Sequence, residues 1–247
     1  MTTDTLDLFA FSGLDPAAAA RIVASALEHA DDGELYIERA QTDSLLFDNG
    51  RLKSANYDVT QGFGLRAVAG EAVGFAHADD ISEAALRRAA EAVRAVATGY
   101  AGVMAPPPRP TNRKLYGDDN PLLAPVFADK VALLSEIDAY ARSSEARVRQ
   151  VTASIVCSHK VVEILRADGT RVRDVRPLVR LNVSVIVGAG DRQESGSFGE
   201  GGRLMLDGFI APDRWRAAVD EAVRQALVNL QSKPAPAGTF DVVLGSG

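Results

Sequence analysis

Asn49-Gly50 constrains this chain more than any other pair of residues. It joins two runs of alternating apolar and polar residues, with Leu45 and Phe47 before it and Phe63, Leu65 and Ala67 further on. A two-residue turn that continues the strand twist needs positive φ at both central positions, and Asn-Gly is the pair that tolerates this best. The pair therefore predicts an antiparallel hairpin. Ala69-Gly70-Glu71, Asp168-Gly169 and Gly188-Ala189-Gly190-Asp191 carry related turn chemistry between further alternating runs. A chain with this many hairpin signals is not a doubly wound parallel sheet.

The helices lie between groups of strands. Asp15-Pro16 opens one, with Ile22, Val23, Ala26, Leu27 and Ala30 as its apolar stripe and Gly33 as its expected end. Asp80-Ile81-Ser82 opens a second, with Leu86, Ala89, Val93 and Val96 at helical spacing. A third spans about 127–146, and a fourth starts at Pro212 and carries Trp215, Val219, Ala222, Val223, Ala226 and Leu230 on one side. The prolines between 106 and 125 forbid a helix or central strand and predict a stiff connector. The expected fold is α+β: two helix-plus-antiparallel-hairpin units joined by a Pro-rich connector. Its parts are an N-terminal domain at 1–99, the connector at 100–125, a central domain at 126–233, and at 238–247 the first strand of a truncated C-terminal domain. Gly196–Gly202, GSFGEGG, reads as a mobile loop.

Composition narrows the function classes. The 47% apolar and 24% charged residues are ordinary for a globular protein, and the formal net charge of −6 argues against a general nucleic-acid binder. A single cysteine makes no internal disulfide and fits a reducing cytosol. The first residues lack the basic and apolar regions of a signal peptide, and no apolar run has the length of a membrane span. The expectation is a cytoplasmic protein.

Few residues point to chemistry. His29, His77 and His159 show no i, i+4 pairing on a helix and no H-E-x-x-H motif. His29 is expected at a helix C-terminus, and His77 closes a strand face with Val73 and Phe75. Cys157 and His159 share a strand face, where a thiolate beside an imidazole would be a nucleophile or half a metal site; equally, Cys157 continues the apolar series Val151, Ala153 and Ile155. Arg166, Arg171, Arg173, Arg176 and Arg180 cluster around one hairpin. They read either as a stripe for phosphate or peptide carboxylate, or as a solvated face balanced by Asp168 and Asp174, which the acidic total favours. Arg166, Arg171, Arg173 and Arg180 are the substrate-binding candidates; the residues give no catalytic or metal candidate.

Three stretches resemble a known family. LYIERAQTDSLLFDNGRLKSANYDVTQGFGLRAVAGEAVGFAHADDIS is similar to the N-terminal domain of the TldD/PmbA family, once named modulators of DNA gyrase. VTASIVCSHKVVEILRADGTRVRDVRPLVRLNVSVIV resembles the central domain of its TldD type, and QALVNLQSKPAPAGTFDVVLGSG the join to a third domain. The resemblance implies a zinc metallopeptidase acting on unfolded peptides in an enclosed cavity, paired with a proteolytically silent PmbA/TldE-like subunit or with itself. It implies that zinc is held by an H-E-x-x-x-H helix, with a cysteine far downstream, beyond residue 247. Cys157 and His159 do not match those ligands, so the implied role here is cavity wall and dimer surface, with no zinc in this segment. The alternative is a stand-alone peptide-binding or scaffold protein. Direct nucleic-acid and membrane contacts are not expected.

Overall fold

A computed structural model describes residues 7–99, 101–103, 105–106 and 115–246. The chain forms helices α1 (Leu8–Ser12) and α2 (Pro16–Ala26), strands β1 (Asp32–Asp48), β2 (Arg51–Ala69) and β3 (Ala72–Ala78), and helix α3 (Glu83–Arg94). Helix α4 (Phe127–Ser144), strands β4 (Val148–Arg166), β5 (Arg171–Ala189) and β6 (Arg192–Gly202), and helix α5 (Pro212–Gln231) follow. The fold is α+β, as the hairpin signals predict. The connector lies in part outside the described residues.

The local chemistry of the sequence accounts for most element ends. Asn49 and Gly50 have φ of 51° and 78°, so the β1–β2 hairpin turns as expected. The Asp15 carboxylate accepts from the Ala17 and Ala18 N–H groups at the start of α2, and the Ser82 hydroxyl accepts from Ala85 N–H at the start of α3. Asp168-Gly169 turns differently: residues 167–170 make a four-residue loop in which Gly169 alone takes positive φ.

The two expected units share one sheet. Its six strands run in the order β3-β2-β1-β4-β5-β6 with every neighbouring pair antiparallel. β1 pairs with β4 continuously from Glu34↔Arg166 to Asp48↔Thr152, so the seam between the units is a main-chain ladder. Side-chain alternation gives this sheet two unlike faces. Odd-numbered residues of β1, β4 and β5 carry the apolar series and meet the helices. Leu35, Ile37, Leu65, Val161 and Leu165 pack with α1, α2 and α3 in one core. Leu45, Phe47, Val151, Ile155, Leu181 and Val183 pack with α4 and α5 in a second core further along the same face.

Several expectations need correction. α2 ends at Ala26, and Gly33 is the second residue of β1. α1, unforeseen, is capped by Asp7 and buries Leu8 and Phe9. GSFGEGG is not a loop but the second half of β6. A Cβ at Gly196 would overlap the Ala222 carbonyl and lie 2.8 Å from Gln225 Cβ, so glycine is what lets α5 lie directly on the strand. Val73, Phe75 and His77 do not face the core. Gly74 and Ala76 point toward α3, because a Cβ at Gly74 would already press on Val93 and Val96, while Phe75 is 64% exposed on the opposite side. Residues 238–246, expected to form a strand, run as exposed chain without strand pairing.

Candidate functional site

Among the described residues, the helices packed on the sheet occupy its odd-residue face and none covers the even-residue face. That open face is built from β1 outward as a ladder of charged and hydroxyl side chains. At one end Arg66 grips Glu34 and Asp32, each at 2.8 Å, and Arg166 reaches Asp32 at 2.8 Å from the other side. Next, Glu38 accepts from Tyr36 Oη at 2.8 Å and from Lys160 Nζ at 2.9 Å. Arg176 donates to Asp174 at 2.6 Å, and Tyr116, from the chain before α4, donates to the same carboxylate at 3.2 Å. Beyond these, Thr42, Ser154, Ser158, Arg180 and Asn182 continue the polar surface, with Arg180 Nε donating to Asn182 Oδ1 at 2.8 Å.

The electrostatics of the ladder are those of committed charges. Burial opposes ionisation of Asp32, but Arg166, the Gly33 N–H and the charge of Arg66 outweigh it and hold the carboxyl below its usual range. Glu38 is likewise lowered: desolvation works against it, and Lys160 and Tyr36 prevail. Tyr36 is pushed up to about 12 by burial and by the Glu38 carboxylate it donates to. The carboxylates are therefore anionic and the phenol neutral at pH 7, and these groups lack the poised pKa that a general base requires.

The substrate-binding candidates do not form one stripe, because strand parity separates them. Arg166 and Arg180 are on the open face. Arg171 is on the helix face, 2.6 Å from Glu163 and 2.8 Å from Asp7, with its guanidinium 4.6 Å over the Phe9 ring. Glu163 is fully buried and also accepts from Leu8 N–H at 3.1 Å, so Arg171 and Glu163 fasten α1 to the sheet. Arg173 is exposed on the side of Arg171. Arg176 pairs with Asp174, while Asp168 accepts from Thr170 N–H within its own loop.

Cys157 belongs to the core beneath α4 and α5, and His159 begins a polar belt between the two cores. Cys157 is fully buried, and desolvation raises its thiol to about 11, against the opposing pull of Lys130, so it is a protonated core residue. His159 is 2% exposed and lowered chiefly by burial; the Asp118 main chain favours its protonated form and Arg39 disfavours it. Lys130, 1% exposed, reaches Asp43 at 2.7 Å. Sequence reasoning read Glu34, Tyr36 and Glu38 as the wet face of a strand but missed this belt and the cross-strand pairing of the ladder. The signal for the ladder was polar side chains recurring at every second residue, as in Glu34, Tyr36 and Glu38. Among the described residues no group of three or more His, Cys, Asp or Glu is placed to hold a metal ion. No helix among the described residues is long and apolar enough to cross a membrane.

The described residues form a one-sided, helix-clad antiparallel sheet with a polar open face. Two stretches of the chain match domains of a metallopeptidase family. A model of PmbA/TldA metallopeptidase domain 1 matches residues 33–97, and a model of the PmbA/TldA metallopeptidase central domain matches residues 120–230. The chain belongs to the PmbA/TldD family. It is 41% identical over 226 residues to a metalloprotease TldD homolog of Haemophilus influenzae, covering 88% of this chain and 46% of that protein. A metalloprotease TldD homolog of Buchnera aphidicola subsp. Schizaphis graminum is 37% identical over 224 residues, with the same 88% and 46% coverage. The chain thus spans about half the length of the curated relatives it matches. Among solved structures, a protein from Thermotoga maritima described as a modulator of a DNA gyrase superposes with a TM-score of 0.69 at 16% identity, over 90% of this chain and 50% of that one. TldE from Thermococcus kodakarensis gives 0.65 at 14% identity, over 85% and 47%. At these identities the two structures show a shared fold.

Proposed function

We propose that this chain is the non-catalytic N-terminal and central part of a TldD-like zinc metallopeptidase that acts on unfolded peptides in the cytoplasm. It supplies cavity wall and dimer surface. The metal-bearing portion corresponds to the part of the relatives' length that this chain does not span. The observation that carries the reading is the open face, where a long polar wall holds Asp32, Glu38 and Asp174 in ion pairs and, among the described residues, no side chain is poised to activate water. The names of the TldD homologues support a hydrolase, and the likeness to TldE supports a family subunit as partner.

A second observation bears on how the wall engages a partner. β3 pairs with β2 only from Phe63 to Ala69, so among the described residues no strand lies beside the outer edge of β2 from Arg51 to Gln61. Unpaired edges of this length accept another strand, either a dimer partner or an extended peptide. The latter fits the alternative role of a peptide-holding scaffold without proteolysis.

The test is elemental analysis of the purified chain after zinc exposure and dialysis, paired with a fluorogenic assay on an extended peptide. The expected result is no stoichiometric zinc and no cleavage. Chelator-sensitive cleavage by this chain alone overturns the proposal. A gel-shift titration at physiological salt is expected to show no DNA complex.

A further inference from the structure

The open face has one feature that the wall role leaves unused. Between β1 and β3 the sheet is cut by a trough of about 400 Å³. We infer that this trough is a subsite for a basic side chain, guanidinium or ammonium, of an extended peptide. The inference rests on the reading that the open face meets substrate, and it adds which residue type the substrate presents there.

Glycine makes the trough. Gly64 stands opposite Tyr36 and Gly62 opposite Glu38, so no side chain rises from β2 between the flanking strands. A Cβ at Gly64 would lie 2.9 Å from the Phe75 ring, so only glycine lets that ring lie across the strand. One wall is then aromatic. Phe75 and His77 stack with ring centroids 5.7 Å apart and planes at 27°, and Phe75 keeps 64% of its surface in solvent. The exposed ring offers a π face to whatever enters the trough.

Charge selects the guest. Glu38 on one side and Asp79 at the end put two carboxylates on the trough, and no lysine or arginine lines it. Glu38 is already engaged by Lys160 and Tyr36. Asp79 is exposed and has no hydrogen-bond or ion-pair partner among the described residues. The nearest base across β2 is Arg66, opposite Phe75 in the register, and it is bound to Glu34 and Asp32. The local field thus has an unmatched negative site beside an exposed π face. A planar cation satisfies both at once, its face on the Phe75 ring and its N–H groups toward Asp79. A neutral aromatic guest leaves Asp79 unmatched, and an acidic one is repelled by it.

The experiment is a fluorescence-anisotropy titration of the whole chain with labelled, unstructured peptides that differ at one position: Arg, Lys, Gln or Glu in a Gly/Ser background. The Arg and Lys peptides are expected to bind about tenfold tighter than the Gln peptide, with the Glu peptide weaker still, and the preference is expected to shrink with added salt. Phe75→Ala and Asp79→Asn, both at exposed positions and both checked for an unchanged melting temperature, are each expected to abolish most of that preference. Equal affinity for Arg and Gln peptides, variants that bind as the wild type does, or no binding of any peptide overturns the inference. So does self-association that the Arg peptide competes away, since the trough would then belong to a second copy. The readout is binding without metal, so it stands apart from the peptidase test. Cleavage by this chain would sink the wall proposal without touching the Arg-over-Gln ratio, and loss of that ratio would leave the wall proposal standing.

Discussion

Replacing Gly196 by alanine adds one methyl group at the point where β6 runs beneath α5. Gly196 does not take positive φ, so the cost carries no backbone-conformation penalty and is steric. The new Cβ would overlap the Ala222 carbonyl oxygen and the Ala226 nitrogen, both main-chain atoms of the helix. No rotamer change removes them, so α5 itself must lift. That helix buries Trp215, Ala218, Val219, Ala222 and Ala226 against the sheet, and lifting it loosens all of them together. Overpacking costs about 1–3 kcal/mol when side chains absorb it; with main chain as the obstacle the upper end applies, about 3 kcal/mol. For a chain of this size that lowers the melting temperature by roughly 6–12 °C. Gly188→Ala is the internal control, because the nearest atoms to its Cβ belong to side chains, Arg149 at 3.1 Å and Gln193 at 3.5 Å, which can move aside. Its stability should stay within about 1 kcal/mol of wild type. Thermal melts followed by far-UV circular dichroism decide the matter. If Gly196→Ala melts with the wild type, or if both variants lose the same amount, the close-approach argument is wrong.

Glu163→Ala should cost about 3 kcal/mol in a urea melt, since it strands Leu8 N–H and removes one of the two carboxylates of Arg171; a loss under about 1 kcal/mol would show that α1 is held by its apolar contacts alone. Cys157 should resist thiol reagents in the native state at mildly alkaline pH and react fully in denaturant, whereas native labelling on the timescale of a free thiol would refute its placement in the core. Asp32 and Glu38 are held below their ordinary pKa when folded, so their contribution is present above that value and is lost as pH falls through it. Melting temperature should accordingly drop below about pH 4, less steeply in Asp32→Asn. Glu163 is raised, mainly by burial, and its contribution has the opposite sign, growing as pH falls toward the ordinary glutamate value and complete below it, so a wild type that gains stability on acidification from neutral pH down to about pH 4 would mean that Glu163 dominates.

What the sequence made legible was local. Asn49-Gly50, the Asp15 and Ser82 caps, and the apolar alternation of Leu35, Ile37, Phe63 and Leu65 each rest on a few neighbouring residues, and each took the expected form. What it hid was tertiary. Gly196 of β6 is glycine because a helix lies on it, and nothing in GSFGEGG announces that helix. Val73, Phe75 and His77 have the look of an inward face, but Gly74 and Ala76 take that side because α3 leaves no room for more. The arginines cluster along the chain, yet Arg166 and Arg171 diverge because they fall on opposite sides of the strands that carry them. The TldD/PmbA resemblance reached the family, and only the coordinates separated the helix-clad side from the open one.

The long β1–β4 ladder also dictates a timetable. Asp48 meets Thr152 and Asp32 meets Arg166, partners separated by 104 and 134 residues. While the chain is being made, β1 must wait for a mate synthesised many seconds later. Over that interval its bare flank is an adhesive strip offered to any passing neighbour. A nascent chain of this kind folds late, and its solubility in the cell depends on how well that flank is guarded until β4 arrives.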